Sequence, residues 1–181
     1  MKKFEEKTIK SERIYNGKIV QLQVDEVKLP DGKTSKREII KHPGAVAVIA
    51  LTPERKIVFV EQYRKPLEKS IIEIPAGKLD PGENPLAAAL RELEEETGYT
   101  ANSLSFVTSF YSSPGFADEL LHIYITDDLR KVENPKSGDE DEFVEIIELT
   151  LDEAKQYVEE ERIHDAKTAY AVLYLHALEG R

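Results

Sequence analysis

One stretch, residues 77–99 (GKLDPGENPLAAALRELEEETGY), limits the fold more than any other part of the chain. A glycine-bearing turn runs into a strong helix former whose ends are both marked. Asn84 is suited to cap the helix, Pro85 to open it and Gly98 to close it. At about 100° per residue, Leu86, Leu90, Leu93 and Thr97 share one face, and Glu92, Glu95 and Glu96 share another. Carboxylates gathered near a helix C-terminus oppose its dipole and repel one another. Helix stability does not ask for that pattern. A hard cation does, because Mg²⁺ takes oxygen ligands from a few carboxylates and from substrate phosphates. The competing reading is a solvated acidic helix with Arg91 paired to Glu95.

The stretch resembles the Nudix hydrolase box: Gly77, five residues, Glu83, seven residues, Arg91-Glu92-Leu93, then Glu95-Glu96, Gly98 and Tyr99. The resemblance implies hydrolysis of a nucleoside diphosphate linked to another group. It makes Glu92 and Glu96 metal ligands, and Glu95 a further ligand or a water-mediated contact with a catalytic share. Arg91 holds the acidic cluster in place, and Glu83 steadies the turn. The carbonyl before the first glycine, that of Ala76, is an implied metal ligand as well. The implied ion is Mg²⁺, with Mn²⁺ able to substitute.

The remaining chain narrows the choices. Its 181 residues suffice for one domain with a core and a small addition. A net charge of −10 argues against nucleic acid as a partner but not against a small phosphate ligand, since bound metal reverses the local sign. With no cysteine there is no disulfide, thiol nucleophile or thiolate metal site, and a cytoplasmic location is expected. No apolar run is long enough to span a membrane, and the start lacks a signal-peptide pattern. His42, His122, His164 and His176 form no spaced metal motif, and there is no serine elbow.

Taken in order, residues 1–43 read as a small β region: a strand over 18–27 with Val20, Leu22 and Val24 on one face, a turn at 29–33, and a strand over 35–40. The apolar runs 45–51 and 56–61 read as strands buried on both faces. Further strands are expected at 71–75, 104–111, 120–126 and 143–149, with an acidic loop over 127–141. Helices are expected at 150–162, opened by a Thr150/Glu153 capping box, and at 165–178. This order gives an α/β chain with a mixed sheet between helices. The resemblance sharpens it to a Nudix-type α/β/α sandwich over 44–181, preceded by the β region at 1–43.

Within the family, the chain resembles the ADP-ribose pyrophosphatase branch. Residues 61–66 (EQYRKP) resemble a strand-end segment whose arginine reaches substrate phosphate or ribose, which points to Arg64. A plain surface arginine paired with Glu61 or Glu68 is the competing reading. Pro114, fifteen residues beyond Tyr99 in an SPG loop, marks the branch. Phe116 is placed to line the nucleotide pocket or the core, and Glu73 resembles a residue of the substrate or metal pocket, with an outward face in the strand alternation as the competing reading. Residues 1–43 are implied to pair with a second subunit, with Tyr15 and Arg37 as candidates on the adenine side; an ordinary sheet residue is the competing reading for each. The acidic loop supplies the implied base, Glu142 first and Glu140 second; a solvated acidic turn is the competing reading. The expected reaction is Mg²⁺-dependent hydrolysis of ADP-ribose to AMP and ribose 5-phosphate by a homodimer. Another nucleoside diphosphate derivative, such as a nucleotide sugar or oxidised nucleotide, is the alternative substrate. A non-catalytic nucleotide sensor is a further alternative.

Overall fold

In the computed structural model of this chain, residues 3–135, 138 and 143–180 are described. The chain divides into two units. One holds the residues up to Gly44 together with Phe110–Leu121, and the other holds Ala45–Ser109 and the residues from His122 onward.

The first unit is an antiparallel sheet of β1 (Lys7–Asn16), β2 (Gln21–Lys28) and β3 (Thr34–Lys41), in that order. The β2–β3 turn forms where composition places it. Leu29 N donates to Lys33 O at 2.8 Å and Gly32 N to Leu29 O at 2.9 Å. Gly32 sits at φ +87, where a side chain would be strained. Two expectations need correction. A third strand, β1, precedes the hairpin. Its sequence, KTIKSERIYN, lacks period-2 alternation, and it is exposed along its whole length, so only pairing with β2 makes it a strand. The buried face of β2 is also the opposite one: Asp25 and Val27 are buried, while Leu22 and Val24 are only half-buried. Asp25 is satisfied there by Gln23 Nε2 at 3.0 Å and Thr8 Oγ1 at 3.3 Å.

The second unit carries β4 (Ala45–Leu51), β5 (Ile57–Arg64), β6 (Lys69–Glu73), β7 (Ala76–Lys78), α1 (Pro85–Thr97) and β8 (Tyr99–Ala101). Then follow β9 (Ser105–Tyr111) and β10 (Leu120–Thr126), whose residues Phe110, Tyr111, Leu120 and Leu121 are counted with the first unit, and β11 (Leu129–Lys131), β12 (Val144–Leu149), α2 (Leu151–Glu159) and α3 (Ala166–Glu179). The main sheet runs β12-β5-β4-β10-β9, with β6 on β5 and β7 on β4. Every residue of β4 is buried, as its unbroken apolar sequence predicts. Val46, Val48, Ala50 and Val58 pack with Ala88, Ala89 and Leu93 of α1. Leu51 and Ile57, from the other face, line a cavity with Leu151 of α2 and Leu175 and Leu178 of α3. Helices therefore cover both faces of a mixed sheet, the α/β/α layering expected.

The ends of α1 are where the sequence places them. Asn84 Oδ1 accepts from Leu86 N at 2.9 Å, Pro85 is the first helical residue, and Gly98 adopts φ 67 with its N–H on Glu94 O. The apolar stripe is shifted, however. Leu86 is 40% exposed, and the buried face is Ala88, Ala89, Leu93, Glu96 and Thr97. Small residues let the helix approach β4 closely, and Leu93 alone contributes about 2 kcal/mol by burial. Other differences are short pairings. The first residues of the box form β7 on β4, and part of the expected acidic loop is β11, paired with β8. Three-residue strands have too little sequence to carry a period.

Candidate functional site

The acidic face of α1 meets the backbone of β7, and one arginine organises the junction. Arg91 donates from Nε and Nη2 to the two oxygens of Glu83, at 3.0 and 2.9 Å. Its Nη1 donates to Glu92 at 2.8 Å and to Glu95 at 3.0 Å, and its Nη2 also donates to Lys78 O at 3.1 Å. One guanidinium therefore ties the turn, the strand and the helix together. The hydrogen bonds that Arg91 donates to Glu83, first, raise the basicity of Arg91, and the same bonds hold the Glu83 carboxyl below the usual range. Glu83 also accepts from Asp80 N at 3.0 Å, which closes the turn ahead of α1.

Two carboxylates flank the backbone at 76–77. Glu96, 7% exposed, accepts from Ala76 N at 2.9 Å. Glu92 lies against Gly77: a Cβ placed there would come within 2.0 Å of the Glu92 carboxyl carbon. The first glycine of the box is thus explained by close approach, not by an unusual φ. The set suits a hard divalent cation. All donors are oxygen, and Glu83, Glu92 and Glu95 share a single guanidinium, so negative charge is in excess. Among the described residues, no three such side chains already converge as a cage. Glu92 and Glu95 are both held by Arg91 Nη1.

A second charged group lies in the same unit. Arg64, at the end of β5, grips Glu73 of β6 through Nε at 2.5 Å and Nη2 at 2.8 Å. The arginine is thus paired with neither Glu61 nor Glu68; Glu68 pairs with Lys65 instead. Glu73 is 2% exposed, so the cross-strand pairing turns it inward. Its oxygen Oε2 also accepts from Lys167 Nζ. Burial pushes the Glu73 carboxyl up, but Arg64 and Lys167 outweigh it and hold the group below its ordinary value. Lys167 and its second partner, Asp165, escaped sequence reasoning. The available signal was a lysine in the first turn of a helix, where the dipole disfavours a cation.

The remaining candidates belong to the first unit. Arg37 is held by Glu6 through two bonds of 2.8 and 2.6 Å, while Tyr15 and Phe116 are each 59% exposed. Pro114 is exposed, in a loop whose Phe116 carbonyl accepts from Ile40 N at 2.7 Å. Glu119 accepts from Ser112 and lies 3.5 Å from His42. Glu140 and Glu142, the base candidates, lie outside the described residues.

Comparisons with known proteins point to a family and a fold. A NUDIX domain model matches residues 41–171, and a nucleoside diphosphate sugar hydrolase N-terminal domain model matches residues 6–40. A methanol dehydrogenase activator of Bacillus methanolicus is 65% identical, over 99% of this chain and 97% of that protein. An ADP-ribose pyrophosphatase of Bacillus subtilis (strain 168) is 58% identical, over 99% of this chain and 97% of that protein. The crystal structure of an ADP compounds hydrolase shares the fold, with a TM-score of 0.84 at 21% identity, covering 97% of this chain and 95% of that one.

Proposed function

From the premise that this chain belongs to the NUDIX-domain family, we propose that it hydrolyses ADP-ribose to AMP and ribose 5-phosphate. The reading rests chiefly on 58% identity, across nearly the whole chain, to a protein named ADP-ribose pyrophosphatase. The carboxylates packed around Ala76 and Gly77 supply the matching chemistry.

Glu92, Glu95, Glu96 and the carbonyl of Ala76 would hold a divalent ion, proposed to be Mg²⁺ with Mn²⁺ as a substitute. Bound there, such an ion neutralises diphosphate charge and makes a water more acidic. The protein groups do the rest. Arg91 fixes the carboxylates from the turn, the strand and the helix. Arg64 grips a phosphate with the edge of its guanidinium that Glu73 leaves uncovered. Glu142, or Glu140 two residues earlier, accepts the proton of the attacking water. A new P–O bond forms at one phosphorus, the bridging P–O bond breaks, and the departing oxygen stays with the other phosphate. No phosphoenzyme is required.

The purified chain is expected to release AMP and ribose 5-phosphate from ADP-ribose with Mg²⁺, and to stop when the metal is chelated. Chromatography of the products across a panel of nucleotide sugars and oxidised nucleotides checks this. ADP-ribose ranking well below the others sinks the substrate assignment, and no product from any of them favours a nucleotide sensor. A second reading follows from the relative named for methanol dehydrogenase activation. The same preparation added to a methanol dehydrogenase should raise its rate if that role is shared.

The proposal extends to assembly. β1 is exposed along its length at a sheet edge, and Ile9, Ile14 and Tyr15 on it are each more than half exposed. An apolar edge of this kind is a template for pairing, and we assign it to a second copy of the chain. In that arrangement residues 1–43 form the dimerisation region, contributing Tyr15 and Arg37 beside Pro114 and Phe116 on the adenine side, and 44–181 form the hydrolase domain. Sedimentation at micromolar concentration should show a dimer, and removal of residues 1–43 a monomer with weaker substrate binding. A monomeric full-length protein rules this out.

A further inference from the structure

Lys167 is costly where it stands. It occupies the first turn of α3, where the helix dipole disfavours positive charge, and its side chain is only 14% exposed. Two carboxylates hold it there. Asp165 Oδ1 accepts from Lys167 Nζ at 3.0 Å while also capping α3, and Glu73 Oε2 accepts from the same Nζ. Glu73 is in turn the anchor of Arg64. Four charged side chains, from β5, β6 and the start of α3, thus form one cluster of two cations and two anions.

The electrostatic consequence is specific. Arg64 spends Nε and Nη2 on Glu73, while Nη1 has no protein partner among the described residues, and the side chain is 39% exposed. Arg64 is the most exposed member of the cluster, whereas Asp165, Lys167 and Glu73 are 19%, 14% and 2% exposed. Arg64 also lies in the field of Asp165 and Glu96. Without Lys167, Arg64 would stand against Glu73 and Asp165 alone, and the local charge would change from zero to −1. A phosphate approaching Nη1 would then meet net repulsion.

We infer that Lys167 is a positioning residue for substrate phosphate, acting through Glu73 and Asp165 to leave the free edge of Arg64 attractive to an anion. The inference rests on the proposed reading of Arg64 as a phosphate contact. It adds a residue 94 positions from Glu73 that takes no part in the acidic box.

The test uses the full chain with Lys167→Gln, which keeps a hydrogen-bond donor, one bond shorter, and removes the charge. The KM for ADP-ribose with Mg²⁺ should rise roughly ten- to thirtyfold, the effect of one unit charge several ångströms away at intermediate dielectric, with kcat within threefold. Lys167→Arg should restore KM. In an Arg64→Ala background, Lys167→Gln should change KM less than threefold, because the route through Arg64 is gone. Calorimetric titration with ADP supplies a second readout and should weaken in parallel. An unchanged KM and ADP affinity in Lys167→Gln overturns the inference, as does an undiminished effect in the Arg64→Ala background. If Lys167→Gln fails to fold, Lys167→Met is the second neutral variant, read the same way. A wild-type chain that binds ADP but leaves ADP-ribose intact refutes the proposed reaction, and the Lys167 inference is then decided on ADP affinity. A chain that does neither overturns both.

Discussion

Glu96→Gln is expected to leave a folded protein that has lost about 10³-fold in Mg²⁺-dependent turnover. The fold should survive because the bond this side chain makes to the backbone needs only an oxygen acceptor. Ala76 N donates to Glu96 at 2.9 Å, and a glutamine carbonyl can take the same bond. Glu96 is 7% exposed on the buried side of α1, and glutamine matches it in size, so no cavity opens. What goes is a full negative charge beside the Ala76–Gly77 backbone. Charge stabilisation by a bound divalent ion amounts to several kcal/mol, which corresponds to about three decades in rate. Thermal melting within a few degrees of wild type, weakened Mg²⁺ binding by calorimetry and the collapse in turnover form the expected set. Turnover within threefold of wild type, at saturating and at limiting Mg²⁺, would remove Glu96 from the ligand set.

The next largest effect should come from the base. Glu142→Gln is expected to spare most Mg²⁺ affinity and to lose about 10²- to 10⁴-fold in rate, the usual contribution of a positioned proton acceptor. Raising the pH should restore part of that loss, as hydroxide takes over from activated water, and should help Glu96→Gln less. Glu140→Gln is the control. Collapse in Glu140→Gln with Glu142→Gln near wild type moves the base by two residues. If neither matters, Glu95 and Glu119 come next, and they stand in different settings. Glu95 shares Arg91 with Glu83 and Glu92, whereas Glu119 is bonded to Ser112 near His42. Mg²⁺-dependent rates for all the variants across pH distinguish these outcomes.

The relative named for methanol dehydrogenase activation makes these variants useful beyond hydrolysis. If the chain also raises the rate of a methanol dehydrogenase, Glu96→Gln separates two routes. Loss of both activities ties activation to turnover. Activation that persists without turnover places it on a binding surface.

What was legible in the sequence was mostly local. The ends of α1 follow from Asn84, Pro85 and Gly98, because capping is settled within about one helical turn. The burial of β4 follows from seven apolar residues in a row, and the capping box of α2 from Thr150 and Glu153. The box also put Glu92 and Glu95 within reach of one arginine, whereas Glu96 lies on the buried face with Leu93 and Thr97. Tertiary structure decided the rest, for reasons of distance along the chain. Nothing near Gly77 says that a carboxylate fifteen residues later will press against it. Alternation could not choose the face of Glu73, because its burial depends on Lys167, 94 residues away, and on the register of β6 against β5. β1 carries no period of its own and is a strand only through β2. The sequence alone determined which side chains could carry metal chemistry. The fold decided how their charges are shared, because ion pairing and burial depend on neighbours in space, and those come from elements far apart in the chain.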